Sequence, residues 1–164
     1  MSQGVRRIAK KQSAVITKHL QHKRIYREPE AVHHVRKHIK KLRALLRLVR
    51  EELGHKTYHR EKAGLRQLNR ALSPVREATV HLKTLGSLRR SHPDDLSKSD
   101  YDSLQQSLLR IRTRRIRALK TSKILARAKI RRIKSRMEDW ALEKIKSRCL
   151  WSGIEQARQR FRDA

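Results

Sequence analysis

The chain has 164 residues, with 44 lysines and arginines against 15 aspartates and glutamates, so its formal charge at neutral pH is +29. Like charges in this excess repel one another and weaken a compact fold unless an anionic partner is normally present. Apolar residues supply 37% of the chain, and the eight glycines and prolines are too few for a disordered linker or a collagen-like chain. Only six residues are aromatic, so leucine, isoleucine, valine and alanine must form the core, which favours an all-α fold.

Local sequence features exclude two further classes of protein. No uninterrupted apolar run approaches the length of about 20 residues that a transmembrane helix requires. Cys149 is the only cysteine, which excludes an internal disulfide bond and a multi-cysteine zinc site. A lone cysteine also fits a reducing compartment, and we therefore expect a cytoplasmic protein with no membrane partner.

Hydrophobic periodicity predicts a basic N-terminal helix followed by a strongly amphipathic one. The first is assigned to residues 1–20, within a loosely periodic segment over about residues 5–25. The second covers about residues 30–53 and has Pro29 in its first turn, where the missing N–H is no loss. Its apolar residues alternate at spacings of three and four, an a/d seam of three heptads. The seam consists of Val32, Val35, Ile39, Leu42, Leu46, Val49 and Leu53. Gly54 is expected to end this helix.

The third stretch opens near Tyr58 and repeats this spacing. Its seam consists of Leu65, Leu68, Leu72, Val75, Thr79 and Leu82. Pro74 interrupts the pattern, so we expect either a kink or a new helix that Ser73 caps, and Gly86 should end the stretch. A polar loop then covers residues 87–99.

The fourth stretch begins at a predicted capping box over residues 99–102, with aspartate in the place of glutamate. It runs past Met137, and Trp140 with the acids near it suggests a bend. A last amphipathic piece covers residues 154–161. Strand signals are absent, because the chain has no alternating β-branched runs and no Asn-Gly or Asp-Gly turns. We therefore predict that residues 1–164 form one all-α domain, an antiparallel helical bundle of long helices.

A basic stripe lies beside the seam of the second stretch. It comprises the residues one position past each seam residue, which are His33, Arg36, Lys40, Arg43, Arg47 and Arg50. Each is rotated by about 100° from the seam, which gives a stripe roughly 25 Å long, and Lys37 and Lys41 widen it. The third stretch carries a similar stripe, formed by Arg66, Asn69, Ser73 and Arg76 with Arg70 adjoining. If the two seams pack as antiparallel neighbours, both stripes face one shared groove.

The charge pattern indicates a phosphate-rich polyanion as the partner. Thirteen lysines and arginines lie between Ser103 and Met137 without a single acid. Solvated helix faces usually interleave Glu and Lys, since opposite charges support the helix, so this segment is interpreted as a polyanion-binding surface. A guanidinium binds phosphate oxygens with two hydrogen bonds, which explains the abundance of arginine. In this field His33 should have a lowered pKa that a bound polyanion raises, so binding should strengthen as pH falls.

Two blocks of the sequence resemble the CHAD family, the conserved histidine α-helical domain. Residues 31–46 resemble its signature, roughly V-H-x-x-R-x-x-x-R/K-R/K-L-R-x-x-L, and residues 65–78 resemble its second block, roughly R-D-x-x-R-x-L-S-x-x-R-D-A. The blocks occur in the right order and spacing, and the resemblance covers about residues 20–161. Members are helical bundles that bind inorganic polyphosphate through basic residues, and some are located at polyphosphate granules. The resemblance implies the same ligand and location for this chain, as a non-catalytic module.

The resemblance also assigns binding roles residue by residue. The positions that match the two blocks are His33, Arg36, Lys40, Lys41, Arg43, Arg66, Arg70 and Arg76. The stripe geometry adds Lys37 and Arg47 to the predicted polyphosphate-binding residues. Gln67 and Glu77 stand where the family usually has aspartate, so the orientation of neighbouring arginines is expected to differ.

A CHAD domain usually continues into a second bundle with its own His-x-x-Arg signature, and this chain has none. Residues 153–162 look like the opening of that second half, so the chain resembles the N-terminal half of a CHAD-type double bundle. A groove that the full domain closes between two bundles would here be open, or be completed by a second copy. Homodimerisation is therefore a hypothesis.

Other functions have weaker support in the sequence. His34 and His38 have the helical spacing of metal ligands, but no third ligand lies nearby, so no metal site is predicted. No Gly-rich phosphate loop, nucleophile elbow or carboxylate pair indicates catalysis, and we predict neither an enzyme nor a cofactor. The alternative is a basic helical nucleic-acid-binding protein, which charge alone supports equally well. Because no aromatics lie among the basic stripes, it would recognise a duplex by shape rather than by base stacking. A structural partner of an acidic protein or an anionic lipid is the third class, and charge spread over several helices argues against the lipid.

Overall fold

The computed structural model describes residues 2–21 and 29–140. It also describes six positions nearer the C-terminus, which are Trp151, Ile154, Glu155, Arg158, Gln159 and Arg162. Within the first two ranges the chain forms four α-helices and no strand. They are α1 (Ser2–Gln21), α2 (Pro29–Leu48), α3 (Arg50–Ser91) and α4 (Lys98–Glu138). The predicted end of the first helical segment, over residues 22–25, and half of the predicted piece over residues 154–161 lie outside the described residues.

The four helices form a ring in which each packs against two neighbours, in the order α1, α2, α3, α4 and back to α1. On α1, Gln12 bonds to His38 of α2, whereas the later residue His19 stacks on the earlier residue His34, so the two helices run antiparallel. The contact pairs between the other neighbouring helices run in the same reversed order. They are Arg36–Asn69 and Glu30–Arg76 between α2 and α3, Glu61–Arg136 and Gln67–Lys129 between α3 and α4, and Arg6–Trp140 and Leu20–Arg127 between α1 and the segment of α4 and its C-cap. The prediction of an all-α antiparallel helical bundle is confirmed.

Apolar residues from all four helices meet in one core, and the seam predicted for the second stretch is confirmed. All seven seam residues are at most 7% exposed. The predicted seam of the third stretch is buried from Leu65 to Thr79, and only Leu82 is half-exposed. Burying one leucine or isoleucine contributes about 1.5–3 kcal/mol. This shared core fixes α2 beside α3 and so determines which polar side chains face each other above it.

The chain passes from α2 to α3 through two breaks separated by one helical turn. Helix α2 ends at Leu48, earlier than predicted, because Val49 has φ −107° and ψ 20°. The predicted break at Gly54 is also present, with φ 69° and ψ 158°, a conformation that only glycine adopts at low cost. Between them, residues 50–53 are helical, and both Val49 and Leu53 stay in the core.

One of the two alternatives for Pro74 is wrong, and so is the expected helix end at Gly86. Gly54 is the one residue inside α3 with non-helical φ and ψ, so the helix continues through Pro74, and Ser73 does not act as a cap. Ser73 instead donates a hydrogen bond to the carbonyl oxygen of Asn69, one turn earlier, at 3.1 Å. Gly86 does not end the helix either. A helical glycine costs only about 1 kcal/mol, and α3 runs on to Ser91.

The polar loop is shorter than predicted, and the capping box lies two residues earlier. Helix α3 ends at Ser91 and α4 begins at Lys98, so the loop covers residues 92–97 rather than 87–99. The N-cap of α4 is Ser97, whose Oγ accepts a hydrogen bond from the Asp100 backbone N–H at 3.1 Å and donates one to its carboxylate at 2.7 Å. Both Ser97 and Ser99 have an aspartate three residues later, so the sequence alone could not distinguish them.

Helices α3 and α4 project beyond the four-helix core. At 1.5 Å per residue, the 41 residues of α4 span about 60 Å and residues 55–91 of α3, after the break at Gly54, span about 55 Å, whereas the 20-residue helices α1 and α2 span about 30 Å. The contiguous core ends at Val75 on α3 and begins at Leu119 on α4. The projecting hairpin carries exposed apolar side chains, namely Val80, Leu88, Leu104, Leu109 and Ile111. None of the helices in the described ranges has an apolar stretch long enough to cross a bilayer.

Candidate anion-binding groove

The antiparallel packing of α2 on α3 brings the two predicted basic stripes to one surface. We call this surface the α2–α3 groove. It is lined by Arg36, Lys40, Arg43 and Arg47 from α2 and by Lys62, Arg66, Asn69, Ser73 and Arg76 from α3. Between Arg36 and Arg47 the groove follows eleven residues of α2, which at 1.5 Å per residue is about 16 Å.

Arg36 is the best-positioned cation of the groove. Its Nη1 donates to the carbonyl oxygen of Asn69 at 3.1 Å and to Oγ of Ser73, both on α3. Partial burial lowers the pKa of Arg36, the Glu77 carboxylate opposes that shift, and Arg76 adds to it. A guanidinium remains charged despite such a shift, because its pKa starts so far above neutrality. The side chain therefore holds a positive charge at the centre of the groove in a defined position.

The end of the groove nearest the α2 N-terminus is partly neutralised. Glu30 lies 3.6 Å from Nη1 of Arg76 and also pairs with Lys83. The hydrogen bond from Lys83 is the main reason that the pKa of Glu30 is lowered. The pKa of His33 is lowered chiefly by burial and then by the charge of Arg76, while Glu30 opposes the shift. The predicted binding residue Arg76 thus has an acidic partner of its own.

The opposite end of the groove deepens into a cavity of about 280 Å³. We call it the junction pocket, and its lining residues are Arg43, Leu46, Arg47, Arg50, Tyr58, His59 and Lys62. The pKa of His59 is lowered by partial desolvation and then by the charges of His55, Lys62 and Arg50. Arg43 and Arg47 were predicted as binding residues, and Arg50 belonged to the predicted stripe, but the α3 wall was missed.

A signal for the α3 wall was present in the sequence. Lys62 and Asn69 are seven residues apart, as are Asn69 and Arg76, so all three lie on one side of α3. His59 stands in the same relation to Arg66 and Ser73. Extending the α3 stripe one heptad towards the N-terminus would have found both Lys62 and His59.

The other predicted binding residues divide into two groups. Lys40 and Arg66 are exposed and lie on the sides of α2 and α3 that border the groove. Lys37, Lys41 and Arg70 are rotated by about 100° or more from Arg36 and Asn69, and all three are exposed on the outward sides of their helices. Lys41 acts instead on His38, whose pKa is lowered first by burial and then by that charge. The structure brings the first group to the groove and places the second on its flanks.

The departures from the family blocks have visible consequences. Gln67 accepts a hydrogen bond from Lys129 of α4 at 2.8 Å and so faces away from α2. Glu77 is exposed, and its carboxylate acts on Arg36 electrostatically. The fixing of Arg36 is done by the Asn69 carbonyl and the Ser73 hydroxyl.

Among the described residues no group of three or more His, Cys, Asp or Glu side chains could hold a metal ion. His34, half of the possible metal pair, stacks on His19 with ring centroids 6.1 Å apart. Asp100 accepts a hydrogen bond from the N-cap Ser97 of α4.

The fold and the groove together define a strongly basic, all-α bundle with a basic groove between two antiparallel helices. The family profile of the CHAD domain matches residues 7–164, and the chain belongs to this family, whose domains are of the polyphosphate-binding type and generally non-catalytic in themselves. No curated protein and no solved structure gives a significant match to the chain.

Proposed function

We propose that this chain binds inorganic polyphosphate in the α2–α3 groove without chemically changing it. Arginines and lysines of the two helices replace the counterions of a flexible phosphate chain, which then lies along the groove. The groove offers charge and hydrogen-bond donors, and a binder of this kind needs neither a metal nor a nucleophile.

The observation that carries the proposal is a set of groove cations that form no ion pair within the described part of the chain. Within the described residues no ion pair forms at any of six groove cations, which are Arg36, Lys40, Arg43, Arg47, Lys62 and Arg66. Outside the groove, acidic side chains do form ion pairs, as Glu61 does with Arg136 and Arg60. Keeping six cations close together costs electrostatic repulsion, and an anionic ligand removes that cost.

Nucleic acid is the second candidate, because its phosphates satisfy the same arginines. The groove argues against single strands. Tyr58 is its one aromatic side chain within the described residues, and its ring is only 4% exposed. Arg50 and Lys62 lie over that ring, so it offers no platform on which a base can stack. Duplex recognition by shape is the form of this alternative that remains to be tested.

A competition titration tests the proposal. Labelled long-chain polyphosphate is bound at about 150 mM salt and displaced by unlabelled polyphosphate, duplex DNA, RNA or heparin. We expect polyphosphate to compete better than its charge density explains. Equal competition at equal charge would make the surface generic and nucleic acid the leading partner.

Charge reversal identifies the surface. The double variant Arg36→Glu, Arg43→Glu should lose binding while its far-ultraviolet circular dichroism stays unchanged. The matched control is Arg7→Glu, Lys11→Glu, which changes the same charge at two exposed positions of α1 outside the groove. Unchanged affinity in the first variant would place the binding surface elsewhere.

The proposal extends to assembly and location. A second copy of the chain would complete the groove as a homodimer, and the protein would reside in the cytoplasm at polyphosphate granules. Light scattering at high salt measures the mass without electrostatic association, and a strictly monomeric mass would contradict the dimer. A fluorescent fusion that stays diffuse in cells containing granules would contradict the location.

A further inference from the structure

The junction pocket differs from the rest of the α2–α3 groove in shape. The groove is bordered by one row of side chains on each helix, whereas the pocket has walls from α2, from the turn after Val49 and from α3. Leu46, which is 1% exposed, forms part of its floor. Its volume of about 280 Å³ suits a compact anion rather than a long one.

The two backbone breaks build the pocket. Because the chain turns at Val49 and again at Gly54, Arg50 returns over the start of α3. Its guanidinium carbon and Nζ of Lys62 each lie 5.3 Å from the centroid of the Tyr58 ring. A buried aromatic face attracts cations at this distance. Tyr58 therefore holds two positive charges at the pocket before any ligand arrives.

Positive charge is denser in the pocket than along the groove. Four permanently charged side chains line it, Arg43, Arg47, Arg50 and Lys62, together with the imidazole of His59. The acid next to Lys62 in the sequence is Glu61, which is fully buried. Its two oxygens accept hydrogen bonds from Arg136 at 2.6 and 2.9 Å, so its charge is neutralised on the α4 side.

The inner and the terminal phosphates of a polyphosphate chain also differ in charge. An inner phosphate carries one negative charge, whereas a terminal phosphate has a second ionisable oxygen with a pKa near 6 to 7, as phosphate monoesters have. At neutral pH the end of the chain is therefore its most highly charged unit. It is also the unit that is not continued on one side, which suits a closed pocket better than an open groove.

We infer that the junction pocket binds the terminal phosphate of a polyphosphate chain while inner phosphates lie along the groove towards Arg36. The inference rests on the proposed function and adds the polarity and the end selectivity of binding. Arg50, Tyr58, His59 and Lys62 become binding or positioning residues, with Tyr58 acting through Arg50 and Lys62.

The test compares two chains of about fifteen phosphates, one with free ends and one with both terminal phosphates blocked as phosphoramidates of an uncharged amine. The P–N bond removes one negative charge from each end. Affinities are measured at pH 8 by displacement of a labelled chain. We expect wild-type protein to bind the free-ended chain about tenfold more tightly, a difference of about 1.4 kcal/mol. Tripolyphosphate alone should compete for the pocket with the same sensitivity to the pocket variants.

Variants separate the pocket from general charge. Arg50→Gln with Lys62→Gln should bind free and blocked chains equally, whereas the control Arg7→Gln with Lys11→Gln, at exposed positions of α1, loses the same charge and should keep the tenfold preference. If the loss of Arg50 unfolds the protein, Arg47→Gln, at an exposed position, should reduce the preference instead. Equal binding of free and blocked chains by wild-type protein would overturn the inference and leave the proposed function standing. No binding of either chain would overturn the proposed function itself.

Discussion

The salt dependence of binding should report how many groove cations meet phosphates. For a protein that neutralises Z phosphates of a flexible polyanion, the logarithm of the affinity falls against the logarithm of the salt concentration with a slope of about −0.7Z. Six groove cations have no ion pair within the described residues, which gives a slope of about −4. A fourfold increase in salt, from about 50 to 200 mM, should then weaken binding by about 300-fold.

The perturbation is Arg36→Gln, which removes the cation that Asn69 and Ser73 hold in position. The slope should become shallower by about 0.7, and Arg36→Gln with Arg43→Gln should bring it to about −3. Fluorescence anisotropy of a labelled chain at five or so salt concentrations is sufficient. Arg7→Gln, at an exposed position of α1, is the control and should leave the slope unchanged. The reasoning fails if Arg36→Gln lowers affinity at every salt concentration without changing the slope, because the side chain would then support the fold rather than contact phosphate.

Three further predictions concern the bundle and its titration. Glu61→Gln should destabilise the fold by about 2 kcal/mol, because the fully buried side chain loses its charge-assisted hydrogen bonds to the partly exposed Arg136. The thermal unfolding temperature should fall by about 4–8 °C. A change under about 0.5 kcal/mol would mean that the ion pair contributes nothing. Gly54→Ala should cost about 1–3 kcal/mol in urea unfolding through the backbone alone, since nothing lies within 4 Å of an added Cβ, and equal stability would refute a strained turn. The pKa of His33 is lower in the folded chain than the ordinary histidine value, so the folded state favours the neutral ring. The stability of the fold should therefore decrease as the pH falls below that ordinary value. A bound polyanion raises that pKa, so affinity for the end-blocked chain, whose charge is constant in this range, should rise from pH 8 to pH 6, and His33→Gln should show a shallower rise than wild type.

The helices and their core could be predicted because apolar spacing repeats over many residues. Every seam residue of the second stretch is buried, including Val49 and Leu53, which lie beyond the end of α2. Helix ends depend on single residues, and those signals were ambiguous. Gly86 is the same residue type as Gly54 but has no positive φ, and α3 continues through it to Ser91.

The α2 side of the groove could be predicted, because signature and spacing agree on Arg36, Lys40 and Arg43. The pairing of Glu30 with Arg76 could not, since it depends on where two distant segments meet in the bundle. Lys37 and Lys41 lie on the outward side of α2 because they are rotated by about 100° or more from Arg36. The sequence prediction added them to the stripe without applying that rotation. The junction pocket depends on the angle at Gly54, and no periodicity encodes that angle.

Trp140 gives the molecule an internal optical probe. Its ring is 2% exposed and belongs to the same core as Leu46 and Tyr58, whereas Trp151, the other tryptophan, is 67% exposed. The Arg6 guanidinium donates a hydrogen bond to the backbone carbonyl oxygen of Trp140, which places Trp140 beside the start of α1. Because α1 and α2 are antiparallel, this is the end of the bundle where α2 turns into α3, and the indole reports on that end. In a Trp151→Phe background the emission comes from this one buried ring. A ligand that shifts this end changes its wavelength, and one confined to the middle of the groove leaves the spectrum unchanged.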